Sequence, residues 1–195
     1  MWRPASARNS APATVATRKG SSPKLSVTWD ASRDWTVTAS TGRAYRFPTV
    51  KELYQAVTTG ATLSSPNPDL KPENALSGEL ALERNWNGGR ARVSMFGERI
   101  ANALISQTSP LNGASVSFVQ NIDQVRSRGV ELVWSQEDVL VRGLELGGSA
   151  TYVDARVVRD AAYPAAVGKY VPQVPNWRAT LVATYRPNDQ LAATA

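Results

Sequence analysis

Of the 195 residues, none is cysteine and none is histidine. The first absence excludes disulfides and thiolate metal sites. The second removes the commonest general base and the commonest metal ligand. A Ser-His-Asp triad, a two-histidine zinc site and a Cys-His pair are therefore impossible. No acidic pair stands apart to carry carboxylate chemistry instead, so the chain reads as a non-enzyme without a cofactor or metal. No apolar run approaches the ~18 residues that mark a membrane-spanning helix. A barrel strand crosses in only about 9–11 residues, so a membrane remains open. The first residues, "MWRPASARNSAPATVATRKGSSP", contain no apolar stretch of the kind a secretory signal needs, and none is expected here.

Acidic residues are missing from one region in particular. Residues 1–24 carry Arg3, Arg8, Arg18, Lys19 and Lys24 with no carboxylate, while the rest holds 17 basic and 16 acidic side chains. The net charge of +6 thus sits mainly on the start of the chain. Residues 1–22 read as a basic loop or disordered arm, rich in Ala, Ser, Thr and Pro. The nearly neutral remainder, residues 23–195, argues against a nucleic-acid partner.

What the chain does have is a period of two. In "LSGELALERNW" (76–86), Leu76, Gly78, Leu80, Leu82 and Trp86 fall on one face, opposite Ser77, Glu79, Glu83 and Asn85. "LELGGSATYV" (144–153) and "WRATLVATYR" (177–186) repeat the pattern, with shorter copies at 25–29, 35–39, 91–97 and 130–135. Seven such segments predict an all-β, antiparallel up-and-down meander. Short connections near 30–34, 87–89, 136–139 and 187–189 alternate with long ones near 48–74, 108–115 and 157–176. One tidy rim and one ragged rim is how outer-membrane barrels are built.

The aromatics sort the same way. Trp29, Trp35, Trp86, Trp134 and Tyr185 lie beside short turns on the apolar face, while Tyr45, Tyr152 and Trp177 share that face farther along their strands. Ten residues at roughly 3.3 Å rise and about 40° tilt cover about 25 Å, the apolar height between two aromatic girdles. The opposite face carries Glu79, Glu83, Arg90, Arg92, Glu98, Glu131, Glu145, Arg178 and Arg186. So many charges suit a wide, wet lumen rather than a sealed core. Glu83 and Arg90, flanking "NGG", are expected to pair across the turn.

"NPDLKPE", comprising Asn67, Pro68, Asp69, Leu70, Lys71, Pro72 and Glu73, resembles a signature phrase of TonB-dependent outer-membrane receptors. "GRAYRFPTVKELY" (42–54) precedes it. "NALISQ" (102–107), "NIDQVRSRGVELVW" (121–134), "GSATYVDAR" (148–156) and "VPQVPNWRATLVATYRP" (171–187) follow in the family's order. The resemblance covers nearly everything from residue 23 onward. It implies a barrel of 22 strands filled by a plug. It also implies uptake of ferric siderophores or similarly large ligands, energy from the TonB system, and lipid of the cell outer membrane as surroundings.

Against that pattern, plug, TonB box and closing strand are not in evidence, and about 7–8 of the 22 strands are accounted for. The chain is accordingly expected to be a fragment of such a receptor, its two edges unpaired. Two other readings stay open from the residues: a complete eight-stranded structural barrel, and a soluble β-sandwich binding module. Ligand-contact candidates are Tyr54, Asn112 and Tyr163 on the long loops, with Arg43, Arg46 and Lys51 at the upper rim steering anionic complexes. The signature phrase itself reads as structural, its prolines stiffening the end of a loop.

Overall fold

The computed structural model describes residues 20–60, 62–111, 114–188 and 190–195. Most of residues 1–22, read above as a basic arm, and Asn112 therefore lie outside the described residues. Eight strands follow one another along a single sheet: β1 (Lys24–Asp30), β2 (Trp35–Arg46), β5 (Glu73–Trp86), β6 (Gly89–Leu111), β7 (Ala114–Gln136), β8 (Leu144–Arg159), β9 (Trp177–Asn188) and β10 (Leu191–Thr194). Each pairs antiparallel with the next. The seven alternating segments are all strands, and the "QLAATA" end supplies the eighth. A single sheet is not the two-layer arrangement that a β-sandwich needs.

Cross-strand partners share a face, so the register fixes which residues lie together. One row runs Trp35, Arg84, Ala91, Trp134, Gly148, Leu181, and a second runs Ala39, Leu80, Met95, Val130, Tyr152, Trp177. These belong to the apolar face, where Leu25, Leu80, Met95 and Leu181 are all more than half exposed. An inner row runs Thr36, Glu83, Arg92, Val133, Ser149, Thr180. The alternation in the sequence is thus the alternation of the sheet. It places no apolar core beneath the strands.

The buried cluster lies instead at the long-loop end. Ala103, Ile122, Val125 and Val157 pack with Ile100, Ile105, Ala166 and Val171. Here the structure departs from the sequence reading. Residues 108–115, expected as a long loop, are largely strand, because β6 and β7 each continue for 23 residues to a connection at 112–113. Residues 102–120 mix Ser, Thr, Gln and apolar residues without a polar and an apolar face, so the backbone pairing leaves no period-two signal. The pairing of β6 with β7 skips Asn102, whose φ of 53° is one that Asn tolerates better than most residues.

The other two long connections are ordered as well. After β2 come the short helix α1 (Val50–Tyr54) and the hairpin of β3 (Val57–Thr59) and β4 (Thr62–Ser65). β4 lies parallel to β7, pairing Thr62–Ser65 with Ser115–Phe118. Between β8 and β9 the chain makes a 3-10 turn (Pro164–Ala166) and then returns along β8. Where β9 stops at Trp177, the returning loop takes over the edge. Val153 N–H donates to Asn176, Val157 N–H to Lys169, and Val171 N–H to Ala155.

Candidate functional site

The inner face is a wall of paired charges and hydroxyls. Arg92 reaches Glu79 at 2.8 Å and Glu83 at 3.9 Å. Glu83 is opposite Arg92 in the register, whereas Arg90 is opposite Asn85, so the expected Glu83–Arg90 pair gives way to Glu83–Arg92. Arg186 meets Glu145 at 2.9 Å, and the Thr151 hydroxyl donates to Glu131 at 3.1 Å. Every one of these side chains remains partly or fully exposed. Beside Glu79 lies an open groove of about 730 Å³, whose lining includes Ser26, Ser40, Glu79, Phe96, Glu98 and Ser127. Such a surface suits contact with water or a polar partner. Among the described residues no cluster of carboxylates is arranged to hold a metal.

The signature phrase is built into the long-loop end. Asp69 N–H donates to Asn67 Oδ1 at 3.0 Å, closing a side-chain turn around Pro68. Asn67 N–H donates to the Glu52 carbonyl of α1 at 2.8 Å. Leu70 is the most buried large side chain, at 2% exposure. Asn121 of β7 then grips the phrase from both sides. Its Oδ1 accepts from Lys71 N–H at 2.8 Å, and its amide donates to the carbonyls of Lys71 at 3.0 Å and Asn102 at 2.8 Å. Glu73 accepts from Leu104 N–H at 2.8 Å rather than pairing with Lys71. Nothing local in "NIDQVRSRGVELVW" points to this task of Asn121. Its partners Lys71 and Asn102 lie 50 and 19 positions away.

Helix α1 is fixed by its own chemistry. Thr49 caps it, donating its backbone N–H to Glu52 at 2.7 Å and accepting from Glu52 N–H at 3.2 Å, a complete capping box. Arg46 at the end of β2 joins Glu52 at 2.7 Å. Burial pushes the Glu52 carboxyl up, but the Thr49 backbone and hydroxyl and the Arg46 guanidinium outweigh it and hold it below the usual range.

The five described ligand candidates do not converge on one pocket. Arg46, Lys51 and Tyr54 gather around α1, where Tyr54 is 64% exposed. Tyr163 precedes the 3-10 turn on another loop, and Asn112 is outside the described residues. Arg43 shares the apolar face with Tyr45, over whose ring its guanidinium lies at 5.1 Å. All eight aromatic residues singled out above share that face. Tyr152 and Trp177 are direct cross-strand partners with ring centroids 4.9 Å apart.

Comparison with known proteins now decides the family. Residues 4–193 match the family described as TonB dependent receptor-like, beta-barrel. The chain belongs to this family. Its fold is accordingly part of a transmembrane β-barrel of the outer membrane. A curated relative, the iron-regulated outer membrane virulence protein of Vibrio cholerae serotype O1, is 27% identical over 144 residues, 67% of this chain and 22% of the relative. The chain therefore spans about a fifth of that relative's length.

Solved structures share the fold. The copper transporter OprC aligns with a TM-score of 0.66 at 22% identity, over 85% of this chain and 24% of that one. The siderophore receptor PirA from Acinetobacter baumannii gives 0.64 at 18%, over 89% and 27%. A mutant of the Pseudomonas aeruginosa ferric enterobactin receptor, PfeA, in complex with enterobactin gives 0.66 at 20%, over 88% and 26%. These solved structures are named as a transporter and as receptors.

Proposed function

We propose that this chain is a contiguous stretch of the barrel wall of a receptor that takes up ferric siderophores, without chemistry on the ligand. The observation that carries the reading is the two-faced sheet. One face is apolar between two levels of aromatic residues, and the other is lined by ion pairs. Trp29, Trp35, Trp86, Trp134 and Tyr185 form the girdle at the short turns, and Tyr45, Tyr152 and Trp177 the girdle toward the long loops. The long-loop end then faces outward, where ligand arrives. The names of the relatives, an iron-regulated outer membrane protein and siderophore receptors, favour ferric siderophores over other large ligands.

In the parent receptor the inner face would meet a plug, and the TonB system would supply the energy. Arg46, Lys51, Tyr54 and Tyr163 are the candidate contacts for an anionic complex arriving at the mouth, with Arg43 at its outer margin. The test is binding of a panel of ferric siderophores by the full-length receptor, before and after alanine substitution at Lys51, Tyr54 and Tyr163. A loss of about tenfold or more for one member supports the assignment, about 1.4 kcal/mol. Unchanged affinity across the panel would sink it.

A further inference from the structure

The apolar face changes character at its long-loop end. Arg99, Arg126 and Arg156 are direct cross-strand partners on β6, β7 and β8, and Arg128 stands one outward position below Arg126. Like charges facing one another across strands are destabilising unless an anion intervenes. The single carboxylate on this patch, Asp154, serves Arg156 at 2.7 Å and Arg128 at 3.4 Å. Arg99 and Arg126 are exposed and have no ion pair among the described residues. On the inner face Arg92 and Arg186 meet glutamates, while Arg90 and Arg178 have no ion pair among the described residues but are not direct cross-strand partners of another arginine.

Next to the unpaired arginines the surface drops to bare backbone. Gly78 and Gly97 are partners, and a Cβ on either would meet nothing closer than 3.7 Å. The resulting trough, about 370 Å³, is rimmed by Thr41, Leu76, Arg99, Arg126 and Arg128. Its height is informative. Arg126 is eight positions along β7 from Trp134. At roughly 3.3 Å per residue and about 40° tilt this is about 20 Å, close to the top of the ~25 Å apolar band. Arginine stems there cover apolar surface while their heads reach upward.

We propose that this trough holds the phosphorylated sugar headgroup of an outer-leaflet glycolipid. Planar guanidinium groups on adjacent strands match phosphate oxygens with paired hydrogen bonds. The glycine floor leaves room for a sugar ring, and acyl chains continue down past Leu80 and Met95. Arg99 and Arg126 are the binding residues, and Arg128 and Arg156, already neutralised in part by Asp154, flank them. Inorganic phosphate shares the chemistry but lacks the chains that reach Leu80 and Met95. The inference rests on the membrane-wall reading above.

The test reconstitutes the full-length receptor that contains this stretch in phosphatidylcholine vesicles with either bisphosphorylated lipid A or its dephosphorylated counterpart. Insertion is measured first, by protease protection. Lipid retained on extraction is then measured by native mass spectrometry. The expected result is retention of the bisphosphorylated form by about tenfold or more over the dephosphorylated one. That preference falls to near unity in the R99Q/R126Q double variant, is reduced to an intermediate value in R99K/R126K, which keeps the charge but not the planar fork, and is unchanged by Arg84→Gln at the opposite girdle. Insertion without a phosphate preference in the unaltered receptor overturns this inference alone. Strands within residues 73–188 that stay open to protease in the reconstituted receptor overturn the membrane-wall reading and this inference with it. Displacement of the glycolipid by inorganic phosphate at comparable concentration shows a free-anion site and overturns the lipid assignment.

Discussion

Beside the apolar cluster at the long-loop end, single residues fix the signature phrase with hydrogen bonds. Asn121 satisfies three backbone groups at once, on Lys71 and Asn102. Asn121→Ala leaves one N–H and two carbonyls without that partner, at a cost of about 1–3 kcal/mol. The expected outcome is faster proteolysis between residues 47 and 72 with β-sheet content by circular dichroism unchanged. Asn121→Asp keeps the acceptor for Lys71 N–H and is expected to fall between the two. Glu52 adds a pH dependence to the same region. Its folded pKa is lowered, so its contribution is complete above the ordinary glutamate value of about 4.3 and is lost as pH falls through the lower folded value. Proteolysis of the loop should accelerate on that acidic side, and Glu52→Gln should abolish the acceleration. A loop equally resistant at every pH would remove the carboxylate from this account.

At the scale of elements, the strands pack through what their glycines leave open. Gly129 on β7 faces Phe96 of β6 and lies against the Tyr152 carbonyl of β8, and a Cβ there would collide with both. Gly129→Val should therefore destabilise the central strands by about 1–3 kcal/mol or more, read as a lower urea midpoint in detergent micelles. Gly78→Ala, whose Cβ meets only the Ser40 carbonyl at 3.7 Å, should leave the midpoint nearly unchanged. The same scale shows what a sequence reveals. β5, β8 and β9 were legible because one face meets an apolar surround and the other does not, which writes a period of two. The upper halves of β6 and β7 have no such asymmetry and looked like loop. The β4–β7 pairing and the Asn121 clasp join residues about 50 positions apart, through backbone and amide groups that leave no local trace. The ligand candidates rest on residue type and loop position alone. Neither property records that Arg43 lies on a different face of β2 from Arg46.

For the whole molecule, the decisive property is that adjacent residues live in different solvents. Leu181 lies midway between Trp177 and Tyr185 on the outer face of β9, and it is 70% exposed. Thr180, its neighbour, points to the inner face in the row of Glu83 and Arg92. In water both positions would accept an arginine equally. In a barrel wall Leu181→Arg places a charge near the bilayer midplane at a cost of about 2–4 kcal/mol, whereas a lumenal arginine costs little. The difference should be visible as a lower urea midpoint for Leu181→Arg in vesicles, with Thr180→Arg close to the unaltered chain. The contrast should vanish in short-chain detergent loose enough to hydrate the charge. Equal effects of the two substitutions in vesicles would mean that the apolar face of this sheet does not meet lipid. The girdle assignment and the glycolipid trough would both fall with it.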